Sequence, residues 1–468
     1  MIVKSVPLNL PDGFALVDLL PDADIVGWLH GTDGLVGWGQ AFQLEVAAAH
    51  QFPAAIHAWQ QLVAAASVAD DVQVFGSGLV AFGSFSFDPQ SEAGGVLVVP
   101  RVLIGRRDGV SWLTTVDSDV TPSVILAEIA EVATHPEPVR TPTAVTEYRA
   151  SLAGTEWQLE AAAWQAAVTE ALERIAAGAC EKVVLARQVT LAAPAPFSPT
   201  WVLARLAHRF TDTWNFAVDS LVGATPELLV SVRDGQVRSR VLAGTAPIPP
   251  DSNEASTWKL GAALLDSVKD RAEHAHAVTS VANALAPFCG DLIADGPKVL
   301  ELPNVLHLAT DILSKYADPQ NAITSLYLAS ALHPSAAVCG TPTDSALTVI
   351  RDLEDFDRGR YAGPVGWISA NGDGEWGIAL RCAQLAGPQA KLLAGCGIVA
   401  GSQPAAELLE SEAKLAPMRW ALGELRDQHP MAQAWAATGA TRPADGAGSD
   451  APSVAAKAST RPKLHLVP

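Results

Sequence analysis

Apolar and polar positions alternate with a period of two in several stretches, which predicts strands. In the first third such runs are QVFGSGLVAFGSFSF from 73 and GGVLVVPRVLIG from 94, separated by turn residues. The period changes to helical over about 156 to 178, where Trp157, Leu159, Ala163, Ala167, Leu172 and Ile175 fall near one face before Gly178 stops the pattern. The strand KVVLARQVTL follows from Lys182. Residues 214 to 243 read as antiparallel strands, because Asp234 and Gly235 sit between two alternating runs and form a strong hairpin signal. Residues 255 to 287 read as one or two helices. A meander covers 361 to 400: YAGPVGWISA, the turn NGDG, EWGIALRCAQL as one strand, then AKLLAGCGIVAG. A last helix runs from about Pro404 to Asp427, with Ser402 as its N-cap and Pro404 in its first turn.

Antiparallel strands interleaved with long helices predict an α+β fold, a large antiparallel-sheet sandwich with helices packed outside. Residues 1–133 form its N-terminal part, and 147–428 complete the same unit. The Pro- and Thr-rich stretch THPEPVRTPTAVT at 134–146 connects the two. Residues 429–468, rich in Ala, Thr, Pro and Gly without a sustained apolar period, read as a disordered tail.

Composition narrows the function. The chain has 468 residues, 49% of them apolar, enough for a large core. Its formal charge of −19 argues against nucleic acid and anionic membranes as partners. Five scattered cysteines without a CxxC pair speak against a disulfide framework or structural zinc, and make a reducing cytoplasm the expectation. Pro7, Pro11, Asp12 and Gly13 interrupt any signal-peptide core, and no run of 18 apolar residues is present.

Four acids come in pairs three residues apart: Asp270 with Glu273, and Glu407 with Glu410. Each pair shares a helix face. Two such helices facing each other would need a cation, and oxygen-only ligation suits Mg²⁺. The bland alternative is two solvated faces with ordinary Glu–Lys pairs such as Glu410 with Lys414. Lys182 opens an apolar strand, where it is either a buried base or a lysine reaching back to water. Glu227 begins another, either as a buried acid or as a solvated carboxylate. Arg381 lies among apolar neighbours and needs a partner, either a bound carboxylate or a salt bridge. His307 and His333 are lone histidines, which are more often hydrogen-bonded core residues than catalysts. No phosphate-binding loop motif occurs.

Taken together, ten blocks in order resemble the chorismate-utilising enzymes, which include isochorismate, salicylate, anthranilate and aminodeoxychorismate synthases. The blocks are KVVLAR at 182, GATPELL at 223, LAGT at 242, KDRAEH at 269, VLHLAT at 305, LHPSAAVCGTP at 332, RYAGPVGW at 360, ALRCA at 379, AGCGIVAGS at 394 and ELLESEAK at 407. The resemblance implies that Glu273 and Glu410 ligate Mg²⁺ directly, with Asp270 and Glu407 outside them. It implies that Arg381, Tyr361 and Lys414, with backbone around Gly395 and Gly397, hold the substrate's carboxylates. Gly244 would line the ring and His307 would sit near the reacting face. Family members that use ammonia typically carry glutamine where this chain has Lys182, so the resemblance implies activation of water and no glutaminase subunit. Members that expel pyruvate usually have threonine where this chain has Ala337, so the implied activity is isochorismate synthase. That is a Mg-dependent, reversible isomerase reaction: water adds to C2 of chorismate through Lys182 as base, and the C4 hydroxyl leaves with a proton from Glu227. The product would serve menaquinone or siderophore biosynthesis. A salicylate synthase and a non-catalytic chorismate-binding relative are the alternatives. Leu408, Cys339 and Cys396 depart from residues common in the family, and none is an implied ligand.

Overall fold

The computed structural model describes residues 1–11, 13–134, 155–249, 252–317 and 323–423. Most of the 134–146 connector and the whole 429–468 tail therefore lie outside the described residues, as do the side chains of Trp157 and Leu159.

The strands join into one branched sheet, antiparallel except where Ile2–Pro7 pairs with Ser67–Asp70. The branch point is the long strand Gly95–Arg107, which pairs with Asp33–Val46, with Val110–Val116 and with Val80–Ser84. One arm continues through Asp33–Val46, Ile25–His30, Trp214–Val218, Leu221–Thr225, Cys382–Ala386 and Gln389–Val399 to Lys182–Ala192. The other runs through Val80–Ser84, Pro364–Ser369, Gly374–Ile378, Leu228–Arg233 and Gln236–Pro247 to the ribbon Val305–Lys315 and Ile293–Glu301.

Period-two alternation explains why the arms stack. Successive side chains point to opposite faces of a strand. Trp28 and Leu35 therefore enter the main core with Phe82, Trp367, Trp376 and Val230, while their neighbours Leu29 and Val36 enter a second one. The second core lies under the helices Pro199–Arg209 and Pro404–Ala421, which supply Leu203, Leu206, Met418 and Trp420. Trp28 Nε1 donates to Glu375 Oε2 at 3.1 Å, which links the two arms. The architecture is α+β, as the element pattern predicts.

Most elements fall where the periodicity puts them. The stripe at 156–178 is the helix Thr155–Ala176, closed by Gly178 at φ 82°. The hairpin turns at Asp234 and Gly235 with φ of 50° and 75°, and the region 255–287 is two helices, Glu254–Asp266 and Val268–Leu285. Three expectations need correction. Only Val80–Ser84 of the run from 73 is a strand, because Gly76 and Gly78 take φ of 94° and 75° and turn the chain. Gln403, not Ser402, is the N-cap of Pro404–Ala421, and the Ser402 hydroxyl instead accepts from Val399 N–H at 3.3 Å. EWGIALRCAQL is two strands, Gly374–Ile378 and Cys382–Ala386, broken where Arg381 adopts φ 49°. A left-handed turn at a non-glycine residue is uncommon and marks a place where the surroundings dictate the backbone.

Candidate active site

The ends of the two arms enclose a cavity lined by residues of both. On the first arm, Lys182 pairs in register with Val399, Val184 with Gly397 and Ala186 with Gly395. Gly395 and Gly397 line the cavity because neither position has room for a side chain. A Cβ on Gly397 would lie 2.2 Å from Glu273 Oε1 and 3.0 Å from Lys182 Cε, and one on Gly395 would lie 3.2 Å from the Tyr361 hydroxyl. Lys182 is wholly buried directly behind Gly397. Its ammonium lies 3.3 Å from Glu273 Oε1, outside hydrogen-bonding geometry, and has no hydrogen-bond partner. The lysine thus does not reach back to water.

The second arm supplies the facing groups. Glu227 sits between the strands Leu221–Thr225 and Leu228–Arg233, 4% exposed, and its Oε1 accepts from Leu242 N–H at 3.4 Å. Burial pushes its carboxyl up to about 7, against that N–H and the charges of Lys182, Arg381 and Lys414. Gly244 interrupts the pairing of Gln236–Pro247 with Val305–Lys315, at φ 79°, and packs against Asp270. His307 pairs with Thr245 just beyond the irregularity. Its Nε2 is 3.1 Å from an Arg381 terminal nitrogen and its Nδ1 is 3.1 Å from Thr245 Oγ1. A guanidinium only donates, so Nε2 accepts and the ring proton is on Nδ1. Burial, then Arg381 and Lys414, hold the pKa of His307 well below its ordinary value, and the ring is neutral. Burial pushes the phenol of Tyr361 up to about 12, so it stays a donor.

The four acids come from two helices. In Val268–Leu285, His274 is wedged between Ala243 O at 3.2 Å and Thr310 Oγ1 at 2.7 Å, which seats Glu273 over the second arm. Asp270 is held by the N-cap Ser267, whose hydroxyl accepts from Asp270 N–H and contacts its carboxylate. Glu407 and Glu410 come from Pro404–Ala421, which folds back along Gln389–Val399. Three carboxylates each meet a lysine: Glu273 meets Lys182 at 3.3 Å, Glu407 meets Lys269 at 3.0 Å and Glu410 meets Lys414 at 2.5 Å. Lys414 also donates to Gly395 O at 2.9 Å. Burial works against its ammonium, yet Glu410 outweighs that and its pKa is raised. Burial and Glu410 push the Glu407 carboxyl up to about 7.

Among the described residues, two of the four acids, Glu407 and Glu410, can offer oxygens to one hard divalent cation, and Glu273 and Asp270 are outside that cluster. Glu407, Glu410 and Cys396 bring ligand atoms within 4.8 Å of one another. The Cys396 thiol donates to Glu407 O at 3.2 Å, and burial with Glu410 holds its proton well above the ordinary thiol range. Carboxylate oxygens are therefore the available ligands, as Mg²⁺ requires. Cys396 is in this cluster through its place between Gly395 and Gly397, a contact that sequence spacing does not encode.

Glu227, Gly244, Glu273, His307, Ala337, Tyr361, Arg381, Gly395, Gly397 and Lys414 all line the one cavity, with Lys182, Asp270, Glu407 and Glu410 in the layer behind it. His333 lies elsewhere, bonded to Phe87 O at 2.9 Å, and is the core histidine that its isolation suggests. Sequence reading missed Thr245, Lys269 and Arg358. Lys269 was adjacent to a singled-out acid, whereas Thr245 and Arg358 had no local signal.

A family model described as chorismate binding enzyme matches residues 29–423. The chain is 42% identical to isochorismate synthase DhbC of Bacillus subtilis over 55% of its own length and 66% of that protein, just under two thirds of the relative. It is 33% identical to isochorismate synthase MenF of Bacillus subtilis over 74% of this chain and 75% of that one. Among solved structures, MenF, the menaquinone-specific isochorismate synthase of Escherichia coli, superposes with a TM-score of 0.69 at 26% identity, covering 90% of this chain and 94% of that one.

Proposed function

The chain belongs to the chorismate binding enzyme family, and from that premise we propose that it is an isochorismate synthase, an isomerase that interconverts chorismate and isochorismate. The observation that carries this reading is a pair of buried side chains at one cavity: Glu227, which lines it with a carboxyl pushed up to about 7, and Lys182, buried directly behind its Gly397 wall.

Chorismate is a dianion, and its recognition needs positive charge in an acidic protein. Arg381, Lys414 and the Tyr361 hydroxyl, with the backbone at Gly395 and Gly397, hold its two carboxylates. Neutral His307 accepts from Arg381 and so aims the guanidinium. Glu273 and Glu410, with Asp270 and Glu407 behind them, would hold Mg²⁺, which when bound would polarise the ring carboxylate and make C2 electrophilic. Lys182, reacting as the free amine, takes a proton from the water that adds to C2. Glu227 gives its proton to the C4 hydroxyl, which leaves as water while the double bonds shift. One water enters and one leaves, and the proton gained by Lys182 balances the one lost by Glu227. Ala337 offers the ring no hydroxyl, which supports a product that keeps its enolpyruvyl group.

The three lysine–carboxylate pairs support the assignment. Each sets a lysine beside an acid, and a bound divalent ion would add two positive charges that the dianion offsets. Water as the nucleophile requires no glutaminase subunit. Five free buried cysteines support a reducing cytoplasm, and no helix among the described residues is long and apolar enough to cross a membrane. We place the product upstream of menaquinone or siderophore biosynthesis. The test is purified protein with chorismate and Mg²⁺, products separated by chromatography, and the same reaction with EDTA. Isochorismate that disappears with EDTA is the expected result. Fluorescent salicylate as the main product would make the chain a salicylate synthase, and unchanged chorismate would make it a binding relative.

A further inference from the structure

Arg358 lines the cavity without being any of the acids, bases or carboxylate-binding groups named above. It is 5% exposed, and its hydrogen bonds reach three parts of the site. One terminal nitrogen donates to Val338 O at 3.0 Å, in the loop that carries Ala337. The other donates to Val184 O at 2.7 Å, two residues along the strand from Lys182. Nε and the second terminal nitrogen grip Glu354 at 2.8 and 2.5 Å. Glu354 in turn accepts from Ala186 N–H at 2.7 Å, on the same strand. The guanidinium face lies 4.3 Å from the centroid of Phe87, whose carbonyl receives His333 at the start of the Ala337 loop.

Burying a cation this deeply is costly unless it is fully paired, so its placement needs a reason. The reason on view is geometric. The Lys182 strand and the Ala337 loop are joined by few backbone bonds: Val184 N–H to Cys339 O at 2.8 Å and Glu181 N–H to Thr341 O at 2.7 Å. Both touch the loop beyond Val338. Within this set, only the Arg358 bond acts at Val338 itself, next to the residue that faces the ring. We propose that Arg358 is a positioning residue that clips the Ala337–Val338 wall to the Lys182 strand, and thereby fixes both the reach of the base and the shape that retains the enolpyruvyl group. This rests on the isochorismate synthase reading and adds a residue that decides its product. Lysine keeps the charge and three donors, but they sit on one nitrogen and cannot replace the planar fork, whose three nitrogens reach Val338 O, Val184 O and Glu354 in separate directions.

The test compares wild type with Arg358→Lys, using chorismate and Mg²⁺, with thermal unfolding to report the folded fraction. Displacements near 1 Å cost about 10²-fold in rate. The expected result is therefore a fall in kcat of about 10- to 100-fold with KM changed less than about threefold, and salicylate appearing beside isochorismate. Should the lysine variant fail to fold, Arg358→Ala with added methylguanidinium replaces it, and rescue of turnover and of the isochorismate fraction is expected. Turnover and product ratio that both stay at wild-type values overturn the proposal. So does a loss of turnover that follows the folded fraction alone with isochorismate still the sole product, or an alanine variant that methylguanidinium leaves unimproved. Wild type that makes no isochorismate would overturn the proposed reaction instead, so the two failures are distinguishable.

Discussion

Lys182 and Glu227 are both withdrawn from water, and their surroundings differ. Lys182 has one carboxylate at 3.3 Å and no hydrogen bond, while Glu227 has one backbone donor and several distant cations. Acid and base roles are each typically worth about 10²- to 10⁴-fold in rate. Lys182→Ala and Glu227→Gln are therefore expected to lose turnover by that order, with chorismate and Mg²⁺ still bound, as steady-state kinetics and calorimetry would show. Glu227 also links stability to pH. The native carboxyl binds its proton up to about 7, whereas the unfolded one releases it near 4.5. Its contribution is therefore full below 4.5 and is lost as pH rises through about 7. Glu227→Gln should be more stable relative to wild type at pH 8 than at pH 4, measured by urea unfolding at both. A further residue-scale test is Gly397→Ala. The added Cβ meets the Glu273 carboxylate, the movable end of a side chain, so the fold should persist while turnover falls by about 10²-fold or more. Spacing in the sequence could pair the acids but could not say that Lys182 is buried. Burial there is set by strands some 160 and 215 residues away, through Thr341 and Val399.

Helices and strands were legible to the extent that one face of each was polar. The stripe ending at Gly178, the Asp234–Gly235 hairpin and the two helices after 254 each carry a period and a stop signal, and each is found. EWGIALRCAQL misled because it is apolar almost throughout, and a run without alternation does not reveal a break at Arg381. The Ser402 cap misled because that hydroxyl bonds backward to Val399. Helix Pro404–Ala421 carries Glu407, Glu410 and Lys414, and its seat is ionic: Arg187 on the first arm meets Glu412 at 2.5 Å and Ser411 at 3.1 Å, both buried. Removing one partner of such a pair strands the other charge, at a cost of about 3–5 kcal/mol. Glu412→Ala should lower unfolding free energy by about that amount and weaken Mg²⁺-dependent stabilisation, read by urea titration with and without the metal.

The whole molecule is one interleaved sheet, and this was the least legible level, since pairing partners far apart in sequence leave no local trace. The N-terminal strand Ile25–His30 meets Trp214–Val218, and Val80–Ser84 meets Pro364–Ser369. A fragment of residues 155–423 would expose Phe216, Trp367 and Trp376, and should show neither a monomeric gel-filtration peak nor a cooperative melt. The pairing of Ser84 with Val365 has a further consequence during synthesis. About 280 residues separate the two, so at roughly 5–20 residues per second the ribosome delivers the second strand some 15 to 60 seconds after the first. Throughout that interval the nascent Val80–Ser84 edge is a free template, and its proper neighbour has yet to leave the exit tunnel.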